Sequence, residues 1–115
     1  MMRGIFVTAA FAGLVWAAPA SGAFMDGDRL LAKCNEDPGE GLAVCVGYIA
    51  GIADVLLEDS VRGRRACMSL SVMTEQMVDA VRRWLEAHPD DRRYAANGLV
   101  AEALSTAFPC PTKER

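Results

Sequence analysis

Few residues in this 115-residue chain have the types and spacing that chemistry needs. There is one histidine, His88, directly before Pro89, and there are four cysteines, Cys34, Cys45, Cys67 and Cys110. A nucleophilic thiolate needs a base beside it, and no Cys-His pair is suggested by these positions. No Cys-x-x-Cys occurs, so haem attachment and disulfide exchange lack their usual handles, and a single histidine argues against zinc. Met68, Met73 and Met77 are thioethers of the kind that favour Cu(I), but core filling is the reading adopted for them. The carboxylate pairs Glu58-Asp59 and Asp90-Asp91 could in principle serve acid–base catalysis; adjacent carboxylates at helix ends more commonly cap and solvate. The expectation is therefore no catalytic residue, no metal and no cofactor.

The first residues decide the redox state of those cysteines. Arg3 is followed by an apolar stretch from Ile5 to Ala18, too short to cross a bilayer as a stable helix and suited to the core of a signal peptide. Small residues at Ser21 and Ala23 place cleavage before Phe24, and a cut after Ala20 also satisfies the small-residue rule. Residues 1–23 are read as a signal peptide and 24–115 as one mature domain, exported and without a stable membrane anchor. The mature chain keeps 11 basic and 15 acidic residues, a net charge of −4. The pairs Arg64-Arg65, Arg82-Arg83 and Arg92-Arg93 each have acids nearby, so nucleic acid is not an expected partner. A domain of about 90 residues buries only a modest core, and four cysteines in an oxidising compartment are expected to brace it as two disulfides.

The elements that must position these residues read as helices. Leu30, Leu31 and Cys34 mark a short first helix from Asp26, broken by Asn35-Glu36-Asp37-Pro38-Gly39. From about Gly41 to Glu58 the apolar residues Val44, Tyr48, Ile52, Val55 and Leu56 recur at helical spacing. Residues 59–71 form the longest connection. A third helix starts near Thr74, its hydroxyl the expected cap, with Met77, Val78, Val81, Trp84 and Leu85 on one stripe and Pro89 as its stop. Asp90 and Asp91 are expected to cap a fourth helix carrying Tyr94, Ala95, Leu99, Val100, Ala103, Leu104 and Ala107, ended by Pro109. With no alternating strand pattern or hairpin signal, the class is all-α: a small four-helix, bundle-like domain of up-down topology with two disulfides. In that topology Cys34–Cys45 and Cys67–Cys110 each join neighbours, and this pairing is chosen over the other two.

Gly47 and Gly51 have the spacing that lets helices approach closely, with Tyr48 between them, within one subunit or at a dimer seam. Asp54, on the same side of this apolar helix, is either a partly exposed acid or a buried acceptor that fixes helix register or the seam.

The ordered set Cys45-Val46-Gly47-Tyr48-Ile49-Ala50-Gly51-Ile52-Ala53-Asp54, Cys67, Leu85-Glu86-Ala87-His88-Pro89-Asp90-Asp91-Arg92 and Ala107-Phe108-Pro109-Cys110 resembles the Rap/Tai family of type VI secretion amidase immunity proteins. The resemblance covers nearly the whole mature chain. It implies an all-helical periplasmic domain, often a homodimer, that binds and blocks a peptidoglycan amidase effector and is not itself an enzyme. One departure stands out. After the third cysteine the family tends to show Pro, Gly and Thr before a Gln, whereas here Ser69, Ser71 and Met73 precede Gln76, so the second connection is expected to be shaped differently.

The connection from Ala87 to Arg93 is short, polar and charged, and in the up-down topology it shares an end with the first disulfide. Its residues His88, Asp90, Asp91, Arg92 and Arg93 are the candidate effector-binding set. The plain alternative is a capped helix turn. Two other functions compete with immunity: a periplasmic stress or chaperone-like protein that binds unfolded clients on acidification, and an orphan envelope protein with no cognate effector.

Overall fold

A computed structural model describes residues 23–36 and 38–112, together with Gly4, Ala10 and Gly13. The leader reading of residues 1–23 lies outside the described residues except at Gly4, Ala10, Gly13 and Ala23, as does Asp37 of the breaker cluster. The described residues form four α-helices: α1 Gly27–Cys34, α2 Glu40–Leu56, α3 Thr74–Ala87 and α4 Ala96–Ala107, with a 3-10 turn Pro89–Asp91 between the last two. Among the described residues the extended pairing amounts to two isolated bridges, Asp26 with Ala95 and Val61 with Arg64. The class is all-α, and the disulfides are Cys34–Cys45 and Cys67–Cys110, the pairing expected.

The helix starts show where local signals hold and where they yield. Asp26 caps α1, its Oδ1 accepting the Arg29 N–H at 2.8 Å. At α3 the cap position is Met73 rather than Thr74: Gln76 Oε1 reaches back to accept the Met73 N–H at 2.7 Å. Asp90 and Asp91 do not cap α4, which starts later, at Ala96. The cause is tertiary. The Gly27 and Asp28 amides donate to the Tyr94 and Arg92 carbonyls at 3.1 and 3.0 Å, and the Ala96 amide donates to the Met25 carbonyl at 3.0 Å. The Ala96 amide, spent on the Met25 carbonyl, cannot also close a helical turn on Arg92.

The face that α2 buries also differs from the one its spacing suggests. Gly41, Cys45, Ile49, Ala53 and Leu56 face the core, whereas Val44 and Val55 are 45% and 46% exposed and Tyr48 and Ile52 are half-buried. A helix that is apolar on nearly all sides does not select a face by periodicity. The bond from Cys45 to Cys34, both fully buried, sets its rotation. The larger remaining core side chains are Leu30 and Leu31 from α1, Val78, Val81 and Leu85 from α3, and Leu99, Val100 and Leu104 from α4, with alanines between them.

The up-down topology is replaced by another order. The start of α1 lies at the end of α3, through Gly27, Arg92 and Tyr94, while Cys34 at its finish lies by Arg82, inside α3. Hence α1 and α3 are antiparallel. Helix α2 turns back along α1, from Cys45 beside Cys34 to Tyr48 beside Asn97. The chain must then return along the domain before α3 can begin. Residues 57–73 make that return against α4, with Arg62 at Gly98, Arg64 at Glu102 and the Cys67 amide bonded to the Phe108 carbonyl at 2.9 Å. The long connection is long because it spans the bundle. The connection 88–95 consequently shares its end with the start of α1 and not with the first disulfide.

Candidate functional site

The α3–α4 connection is held from three sides. His88 ends α3, its ring stacked on Trp84 with centroids 3.9 Å apart and its Nδ1 2.7 Å from the Trp84 carbonyl. Pro89 and the two aspartates turn the chain in a 3-10 turn, where the Asp91 amide donates to the His88 carbonyl at 3.1 Å. Arg92 points inward: Nε stands 3.3 Å from Asp28 Oδ1, an ion-pair distance without hydrogen-bond alignment, while its carbonyl accepts from the Asp28 amide. Asp90 and Arg93 are exposed, and Arg93 donates from Nη2 to the Tyr94 hydroxyl at 3.1 Å. That bond, with the charge of the neighbouring aspartates behind it, raises the Arg93 guanidinium above its ordinary value. Of the five candidate residues, the structure offers Asp90 and Arg93 outward, sets His88 and Asp91 along a groove wall, and uses Arg92 to hold the backbone.

The groove beside this connection has a volume of about 1170 Å³. One wall is Trp84, His88 and Asp91; the other is Arg62 and Arg64 from the returning connection, lying against Gly98 and Glu102 of α4. Sequence reasoning missed Arg62 and Arg64 because it read residues 59–71 as an unpatterned loop. The signal was the tetrad Val61-Arg62-Gly63-Arg64, which forms a two-residue hairpin turn: the Val61 and Arg64 amides donate to each other's carbonyls at 3.0 Å, and Gly63 has φ 78°. Two of its residues are charged, so no apolar alternation flanked it.

The second candidate set, Gly47, Tyr48, Gly51 and Asp54, divides in the same way. Gly47, Gly51 and Asp54 are exposed, and a Cβ added at either glycine would meet nothing within 4 Å. Among the described residues no helix packs closely on the two glycines. Tyr48 turns instead toward α4, where burial pushes its phenol above the ordinary value and a hydrogen bond with the Asn97 backbone partly opposes that rise. Within the subunit Asp54 is an exposed helix acid.

Both disulfides consume the thiols, leaving no free cysteine among the described residues. No group of three or more His, Cys, Asp or Glu side chains is placed to hold a metal ion among the described residues, and no helix there is long and apolar enough to cross a membrane.

No curated protein and no solved structure matches the chain. The model of the Rap1a immunity proteins matches residues 26–110, which takes in all four helices, all four cysteines and both walls of the groove. The chain belongs to the family of Rap1a immunity proteins.

Proposed function

We propose that this protein is an exported, periplasmic immunity protein that binds a peptidoglycan amidase delivered by type VI secretion and inhibits it by covering its cleft. The observation that carries this reading is the mounting of residues 88–94. The connection is tied to α1 by the Gly27 and Asp28 amides and by the Asp28–Arg92 ion pair, yet it leaves Asp90, Arg93 and Tyr94 exposed beside a groove. A loop already ordered before binding loses little entropy on docking, which is what a tight stoichiometric inhibitor needs. Two disulfides in a domain of this size fit an oxidising compartment. This reading is one of binding rather than catalysis, as membership of an immunity-protein family suggests.

The same proposal includes a homodimer through α2. Val44, Gly47, Gly51 and Val55 leave a shallow apolar strip there, with Asp54 at its edge, and a second copy of α2 could approach closely at the two glycines.

The test is a pull-down of candidate amidases with the oxidised chain, reading complex mass and peptidoglycan cleavage together. A stoichiometric complex that abolishes cleavage is expected. An Asp90→Lys, Arg93→Glu variant should weaken it by about 30-fold or more, as loss of a hot spot of about 2 kcal/mol would. Full inhibition by that variant would remove the connection from the binding surface, and inhibition of no amidase would remove the immunity mechanism itself. Sedimentation of the free chain, with Gly51→Leu as the comparison, reports on the dimer.

A further inference from the structure

The returning connection carries a residue in a conformation its side chain disfavours. Arg62 has φ 50°, in the left-handed region that glycine or asparagine adopts more readily, and the paired bonds between Val61 and Arg64 hold it there. Its stem then lies on bare backbone. A Cβ on Gly98 would come within 2.9 Å of Arg62 Cδ and 3.3 Å of Nε, so the absence of a side chain at 98 is what lets the arginine rest along α4.

Charge gives this placement a direction. The groove is lined by three arginines, Arg62, Arg64 and Arg93, against two carboxylates, Asp91 and Glu102, in a chain whose net charge is −3. Arg64 is paired with Glu102 at 2.5 Å and Arg93 is bonded to Tyr94. Arg62 has no carboxylate within ion-pair distance among the described residues. The first turn of α4, beside it, carries no acidic residue to offset the positive end of the helix. The geometry points to Arg62 as an anchor for an acidic side chain on a loop of the protein partner, which enters the groove beside Trp84 and Tyr94. The planar guanidinium offers a carboxylate two parallel donors, so lysine cannot replace it in full. This assignment rests on the binding reading above and gives that partner a chemistry.

Peptide titrations followed by amide NMR test it without any amidase. The full chain, expressed with its own leader and purified oxidised, is titrated with three probes. The first is an end-capped decapeptide carrying three glutamates around a tyrosine, the second its glutamine counterpart, and the third that glutamine peptide with a free C-terminal carboxylate. The glutamate peptide should shift the Asn97 and Gly98 amides and the Arg62 Nε resonance, and bind more weakly as salt rises. Arg62→Ala should weaken it about tenfold and Arg62→Lys by less. Arg62→Gly should lose binding while its melting temperature stays level or rises, because glycine removes the disfavoured φ. Equal binding of the glutamate and capped glutamine peptides, binding of the free-terminus peptide alone, or unchanged binding by Arg62→Ala would each overturn the assignment. So would an Arg62→Gly chain that melts earlier and binds as before, which would make Arg62 a structural residue. A negative peptide result leaves amidase inhibition standing, and failure to inhibit any amidase leaves a positive peptide result standing.

Discussion

Arg82 donates from Nη2 to the Cys34 carbonyl at 2.8 Å, across 48 residues of sequence. Cys34 is the last residue of α1 and fully buried, so its carbonyl is one of the acceptors that a helix end leaves without an internal partner. A cation there also sits favourably against the negative end of α1. Replacing Arg82 with Ala should destabilise the domain by about 1–3 kcal/mol, the cost of stranding a buried acceptor, with Lys restoring part of it; denaturant titration would check this. At the other end of α1, Arg92 is ion-paired with the Asp28 side chain in the first turn. His88 is likewise committed, to Trp84. Several of the charged residues that spacing singles out as possible chemistry are thus occupied in holding backbone, and those left facing outward suit recognition.

Among the elements, α1 has the most influence for its length. It is eight residues long, yet its first two amides and its last carbonyl engage other parts of the chain. The approach is close enough to exclude a side chain at Gly27, where a Cβ would lie 2.6 Å from Leu99 Cδ1 and 2.8 Å from Arg92 Cα. Gly27→Ala would force the α3–α4 connection away from α1. A loss of about 1–3 kcal/mol is expected, as for overpacking generally, against the gain that alanine brings in an open helix. The same variant should lower affinity for an inhibited amidase, because it loosens the mount of residues 88–94. Measuring stability and inhibition together separates this from Ala32→Gly, on the exposed side of α1, which should cost about 1 kcal/mol of helix propensity and leave inhibition unchanged.

Across the whole molecule the two disulfides have different tasks. Cys67–Cys110 closes 43 residues and ties the returning connection to the end of α4, while Cys34–Cys45 closes 11 and sits in the core. Loop entropy alone assigns them about 4 and about 3 kcal/mol. Burial changes the comparison, because serines at 34 and 45 would place two hydroxyls among Leu30, Ile49 and their neighbours, at about 1–3 kcal/mol each if unpaired. The Cys34→Ser, Cys45→Ser chain is therefore expected to melt below the Cys67→Ser, Cys110→Ser chain, reversing the order that loop length predicts. Cys67 is exposed, so a small thiol should reduce the long-range bridge first, a sequence that mass spectrometry of alkylated intermediates would resolve.

The sequence by itself determined the all-α class, the four helices of the described residues and most of the core residues in α3 and α4; the disulfide pairing came out as expected although the up-down topology behind it did not. Amphipathic spacing and the cysteine positions are local or combinatorial signals, and they survive folding. Three things were decided only in the tertiary structure. Helix α2 is apolar nearly all round, so its buried face waited on the bond between Cys45 and Cys34. The start of α4 waited on the backbone of residues 25–28, which claims the carbonyls and amides of residues 92–96. The groove waited on topology: Arg62 and Gly98 are 36 positions apart, and no spacing rule joins a loop arginine to a bare point on a helix. Because α2 and α3 run the same way, the chain has to return along α4. That return carries Arg62 to the connection whose residues the sequence had already marked, and a reading of helices alone contains no record of it.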